Sequence, residues 1–265
     1  MKKSIRTLHR PETTTIVLFA GVALFLAGLA VVRFGEGPAY PAVSTVFILA
    51  IALPPYAAIV HWLSWRKGLA LVALLSLLPA AVEGLAVLTG IPYGHFSYSA
   101  ALGKLIAGVV PRTVLLAYPP ILFAAATIAS RTVRSGPARV LLAGAIGLVI
   151  DLVFDPAAVH AGFWAWDVPG AYYGVPLQNF IGWAVTGTIY AAIFFLVAKK
   201  ELARDGCIPV MALAGGFWTV CLWTGYLIAH GLYLPVVPGI LLMIMMSYIL
   251  IAPSCPWGEE AVSAG

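Results

Sequence analysis

Charge is what this sequence has least of. Asp, Glu, Lys and Arg make up 9% of its 265 residues, 62% are hydrophobic, and mean hydropathy is +1.00. That balance excludes an ordinary soluble domain of this length. Cysteine is scarce as well: Cys207, Cys221 and Cys255 are odd in number, far apart and without a C-x-x-C pair, so they imply neither a disulfide framework nor a zinc site. Three of the five histidines, His95, His160 and His230, fall in the same half of the pattern as Asp167, but no H-E-x-x-H or H-x-x-H spacing accompanies them, so no metal site is expected. No strict repeat, low-complexity tract or shift in composition marks a second domain, and residues 1–265 are expected to form one transmembrane domain.

Long apolar runs are what the sequence has instead. Eight can be counted, near 13–33, 41–64, 69–90, 113–130, 139–155, 177–198, 209–230 and 235–252. Most reach the roughly 17–25 residues that a helix needs to cross a bilayer. The expected fold is therefore all-α, a polytopic membrane bundle of about eight helices. MKKSIRTLHR followed by apolar residues imitates a secretory signal, but the run from Thr13 to Val32 is long and lacks a small-x-small cleavage site, so a retained first helix is expected.

The net charge of +5 does not argue for nucleic acid, because the cations sit in short clusters between apolar runs. With a cytoplasmic N-terminus, the inside segments hold Lys2, Lys3, Arg6, Arg10, Arg66, Lys67, Arg131, Arg134, Arg139, Lys199, Lys200 and Arg204. Those are twelve of the fifteen Lys and Arg residues, and only Arg33, Lys104 and Arg112 fall outside. This asymmetry gives an N-in, C-in topology, with 1–12 and 253–265 cytoplasmic. The segments 34–40, 91–112 and 156–176 then lie on the outer side. The last two are rich in Gly and aromatic residues, and are expected to fold back over the bundle as a lid. Prolines at 54, 55, 79, 119 and 120 should kink helices two to four and free backbone carbonyls toward the interior.

Against this apolar background, carboxyls at membrane depth are functional by default. Glu83 lies inside the third run. Asp151 and Asp155 are four residues apart, which on a helix puts both on one face, with Pro156 expected to end the regular span at the outer interface. Two carboxyls that close in low dielectric cannot both ionise cheaply, so they share a proton. Trp164, Trp166, Tyr172 and Tyr173 crowd around them and can offer ring faces to a cation. Asn179 is the neutral polar residue best placed to bind a carboxyl or water, although a helix cap near Leu177 would explain it too. Tyr93 and His160 complete the candidate substrate contacts.

Two blocks carry a family resemblance: E-G, T-G-x-P-Y-G-x-F-x-Y and L-G within 83–103, then D-L-V-x-D-P-x-A, G-x-W-x-W and Y-Y-G-V-P-x-x-N-F-x-G-W within 151–183. Together they resemble the CruF-type carotenoid biosynthesis proteins, a family of carotenoid 1',2'-hydratases and bisanhydrobacterioruberin hydratases. The resemblance implies a membrane hydro-lyase that adds water across a terminal isoprenoid double bond to leave a tertiary alcohol, with no cofactor. Its reacting partners would be water and a lycopene-, γ-carotene- or bisanhydrobacterioruberin-like carotenoid. Membrane lipid would surround it, other carotenoid-biosynthesis enzymes are candidate partners, and the cytoplasmic membrane of a prokaryote is the expected location. Its basic charge differs from the acidic surfaces of haloarchaeal proteins and points to a non-halophilic source.

Two rival readings stand beside this one. An intramembrane prenyltransferase could hold magnesium with Asp151 and Asp155, but a second acidic motif is missing and the pair falls on the outer side. A transporter or carotenoid-binding protein could relay protons through the same acids, but no inverted repeat is found. The orientation separates the first rival from the hydratase. Single-Cys variants made in a background lacking the native cysteines should label from the cytoplasm at 65–68 and 131–139, and from the opposite side at 91–112 and 156–176. Labelling of 156–176 from the cytoplasm alone would reverse the topology and restore the prenyltransferase.

Overall fold

A computed structural model of the chain describes residues 11–31, 40–252 and 255–257. The cations at 2, 3, 6, 10 and 33, the outer segment 34–39 and most of the 253–265 tail lie outside the described residues. Among the described residues, eight helices are long and apolar enough to cross a membrane. They are α1 Pro11–Ala30, α2 Tyr40–Leu63, α3 Trp65–Thr89, α4 Val114–Thr132, α5 Gly136–His160, α6 Leu177–Val197, α8 Ala214–Ala229, extended at its start by a 3-10 turn, and α9 Tyr233–Ile251. The short α7, Lys199–Asp205, joins α6 to α8. The protein is an all-α integral membrane bundle.

Burial orders the helices. Within their apolar windows, 72% of residues of α4 and 78% of the span containing α8 are buried, against 17% for α1, so α4 and α8 form the centre and α1 sits on the rim. Large apolar side chains such as Phe19, Leu177 and Leu196 project outward, as lipid-facing helices require. Between helices in lipid there is little hydrophobic drive, and close backbone approach through small residues substitutes for it. The α1–α8 contact shows this: a Cβ on Gly28 would overlap the Leu222 carbonyl oxygen, and one on Gly225 would overlap the Phe25 carbonyl oxygen. The Trp218 indole adds a hydrogen bond to the Val17 carbonyl at 2.9 Å.

Proline in a helix leaves the carbonyl four residues earlier without its N–H partner. Two such carbonyls are met by tyrosines from other parts of the chain. Tyr56 of α2 donates to Leu116 O at 3.0 Å, the carbonyl freed by Pro120, and Tyr172 donates to Leu152 O at 3.0 Å, the carbonyl freed by Pro156. Burial pushes the Tyr172 phenol up to about 12, so it keeps the proton it donates. This explains a departure from the sequence expectation: Pro156 does not end α5, which continues to His160. With its freed carbonyl satisfied, the helix passes through the proline.

The segments 91–112 and 156–176, expected on the outer side, are not simple loops. β1 (Phe96–Tyr98) pairs antiparallel with β4 (Trp164–Trp166), and a smaller ladder joins β2 (Leu105–Ile106) to β3 (Val110–Pro111). The first pairing ties 91–112 to 156–176 at one end of the bundle.

At the opposite end, Cys207 and Cys255 form a disulfide, with Cα atoms 5.8 Å apart. The sequence implied no disulfide framework, and this bond departs from that expectation: the two cysteines are 48 residues apart, and it is the return of α8 and α9 that brings them together. The bond lies at the end that the cation pattern assigns to the reducing cytoplasm, where disulfides are uncommon.

The glycine contacts make a prediction about assembly. Gly28→Leu must force α1 away from α8 and should sharply reduce the monodisperse protein recovered in mild detergent, whereas Val22→Leu on the exposed face of α1 should not. Equal recovery of both variants would show that the α1–α8 contact is dispensable.

Candidate active site

The period of two in F-S-Y and W-A-W puts large rings on one face of each strand. The register places Phe96 opposite Trp166 and Tyr98 opposite Trp164, so four aromatic rings face the same way. They roof a cavity of about 380 Å³ that reaches down into the bundle. Phe96 lies 5.7 Å from Trp166 and Trp164 lies 5.4 Å from Phe154, ring centre to ring centre. Trp183, stacked at 5.1 Å on Tyr118, and Trp223 of α8 continue the aromatic wall.

Three carboxyls meet beneath this roof. On α5, Asp151 and Asp155 face α6, where Asn179 sits in the first turn. The Asn179 amide nitrogen donates to Asp155 Oδ2 at 2.5 Å and to Asp151 Oδ2 at 3.1 Å. All three side chains are buried. The other Asp151 oxygen, Oδ1, is buried without a hydrogen-bond partner in the protein, which is costly for a charged group and suits a carboxyl that shares a proton. Asp155 and Asn179 lie on the cavity wall, while Asp151 stands behind them. Glu83, half-buried on α3, lines the same cavity and accepts a hydrogen bond from the Tyr98 hydroxyl.

Tyr93, Trp164 and Trp166 also line the cavity. Tyr93 lies flat on α6, where Gly182 has no Cβ to obstruct it, and its hydroxyl shares a 2.9 Å hydrogen bond with Thr186. The Trp166 indole donates to the Tyr93 carbonyl at 2.9 Å. Burial pushes the Tyr93 phenol upward, so this ring too stays neutral.

The structure separates the remaining candidates from this group. Tyr172 caps Leu152, Tyr173 accepts from the Leu234 backbone at 3.3 Å, and His160 Nδ1 meets the Tyr226 hydroxyl at 2.9 Å. None of the three lines the cavity. Asp167 and His95 are exposed and joined through their backbones. Conversely, Tyr98, Phe96, Phe154, Tyr118, Trp183 and Trp223 line the cavity without having been named as candidate site residues, although Phe96, Tyr98 and Trp183 fall within the quoted motifs. The alternation in F-S-Y and W-A-W was the available signal for the roof and the G-W of the second motif for Trp183, whereas Tyr118, Phe154 and Trp223 inside helices carried none.

The chain resembles known proteins in the same region. A family model described as "Carotenoid biosynthesis protein" matches residues 39–246. The bisanhydrobacterioruberin hydratase of Haloarcula japonica is 37% identical over 146 residues, which are 54% of this chain and 49% of that protein. The chain thus spans about half the length of this curated relative. No solved structure matches.

The shared amide makes a testable demand. Asn179→Leu removes the donor from two buried carboxyls, and should destabilise the protein by about 1–3 kcal/mol, read as a lower unfolding temperature in detergent. Unchanged thermal unfolding would mean that the carboxyls do not depend on Asn179.

Proposed function

Because the chain belongs to the carotenoid biosynthesis protein family, we propose that it is a membrane-embedded hydratase that adds water across a terminal carbon–carbon double bond of a carotenoid. The observation that carries this reading is the buried pair Asp151 and Asp155, bridged by the Asn179 amide and opening through Asp155 onto an aromatic, largely apolar cavity that Glu83 also lines. Hydration of a trisubstituted alkene needs an acid, shelter for a tertiary cation and a base for the incoming water. The site has groups for each.

In the first step the carboxyl pair delivers its shared proton to the less substituted alkene carbon. The π electrons form the new C–H bond and leave a tertiary cation. The anionic pair and the ring faces of Trp164, Trp223 and Phe154 stabilise that charge in a site of low dielectric. Water then attacks the cation, and its extra proton passes to a carboxylate, either the pair itself or Glu83 held by Tyr98. When the proton returns to the pair, the net change is the addition of one water, with no redox step. Because the two aspartates act together, the proton belongs to the pair and not to one residue.

The prenyltransferase reading is less well supported. Asn179 Nδ2 sits against the carboxylate oxygens that a magnesium ion would use, and the described cavity wall includes no Lys, Arg or His to receive a diphosphate.

Expression in a host that makes lycopene, with extracted pigments resolved by chromatography and mass, tests the proposal. A product heavier by one water is expected. Asp151→Asn and Asp155→Asn should each lower its formation by about 10²–10⁴-fold at normal membrane levels of protein, and Glu83→Gln should lower it less. Unaltered pigment with the parent protein present would favour a transporter or binding protein. Parent-like rates in both Asp variants would place the acid elsewhere.

A further inference from the structure

The cavity is not closed on the membrane side. Besides the carboxyl end, its wall includes Ala27 of α1, Val43 and Phe47 of α2 and Leu222 of α8. Ala27 and Val43 are exposed, whereas Asp155 and Asn179 are buried. The space therefore runs from the buried acids to the lipid-facing surface. α1 is held against α8 by the glycine contacts, and α2 is held against α4 by Tyr56. α1 and α2 make no extended contact with each other among the described residues. The gap between them is thus set by their separate anchors.

Size decides what the gap can do. At about 380 Å³ the cavity is near the small end of the roughly 300–1,000 Å³ range of ligand pockets. A carotenoid backbone of about forty carbons, stretched to roughly the thickness of the hydrocarbon core at about 30 Å, exceeds it. One end fits, and the remainder has an apolar exit into lipid.

Building on the hydratase reading, we infer that the carotenoid enters end-on from the bilayer through the gap between α1 and α2, and that a symmetric substrate is hydrated one end at a time, with withdrawal between the two events. The second end can reach Asp155 only after the first has left, because the far half of the molecule lies outside the gap. The site reads the terminal isoprenoid unit and is indifferent to the distant end.

The full chain in lipid nanodiscs or liposomes loaded with lycopene tests this. With the protein substoichiometric, the singly hydrated product should accumulate as a free pool before the doubly hydrated one appears. Ala27→Trp and Ser44→Trp, which fill the gap from its two sides, should slow hydration by about tenfold or more. Val22→Trp, on the exposed face of α1 away from the cavity, should leave the rate unchanged. All variants are compared at equal amounts of monodisperse protein. Doubly hydrated product from the first turnover, with no singly hydrated pool, would overturn end-by-end hydration. Parent-like rates in both gap-filling variants would overturn the entry route. Absence of any hydration by the parent protein would instead remove the hydratase reading, and this inference with it.

Discussion

Three carboxyls inside an apolar bundle are the constraint on which the rest of the structure depends. An unpaired carboxylate in such surroundings is expensive, and the bundle compensates with one amide: Asn179 donates to both Asp151 and Asp155. For that to happen α5 and α6 must be close, and Gly144, where a Cβ would overlap the Thr188 hydroxyl, allows it. Glu83 receives its donor from outside the helices, through Tyr98 on a strand. The segments 91–112 and 156–176 are therefore part of the candidate site. Removing the β1–β4 roof would take with it the Glu83 partner and the four aromatic rings Phe96, Tyr98, Trp164 and Trp166 of the cavity wall.

Backbone satisfaction imposes the second demand. In lipid no water reaches a carbonyl orphaned by proline, so another group must meet it. Tyr56 and Tyr172 do so for Leu116 and Leu152. The Tyr172 contact lies beside the carboxyl pair and keeps α5 helical through Pro156, which places Asp155 under the roof and not at an open helix end. Tyr172 thus belongs to the support of the site, although its ring does not reach the cavity.

What was legible in the sequence follows from which signals are local. Span number and length are set by runs of apolar residues against a fixed bilayer thickness, and the eight expected spans agree with the eight helices to within a few residues at most ends. The rarity of acids at depth made Glu83, Asp151 and Asp155 stand out one by one. Spacing of four put the two aspartates on one helical face. The aromatic clusters near 96 and 164 were visible, but as an undivided crowd: their alternation was too short to read as strands without knowing that each had a partner.

By itself the sequence determined that this chain is a bundle of membrane helices, which acidic residues fall within its apolar spans, and which family it resembles. These are properties of composition and of spacing within one helix. Only the tertiary structure decided that Asn179 bridges the aspartates, that Tyr98 holds Glu83, that Tyr172, Tyr173 and His160 turn away from the cavity, and that Cys207 meets Cys255. Each of these joins residues on different elements. Their meeting depends on how helices pack through glycines and on where two strands pair, and no periodicity within a single segment encodes either.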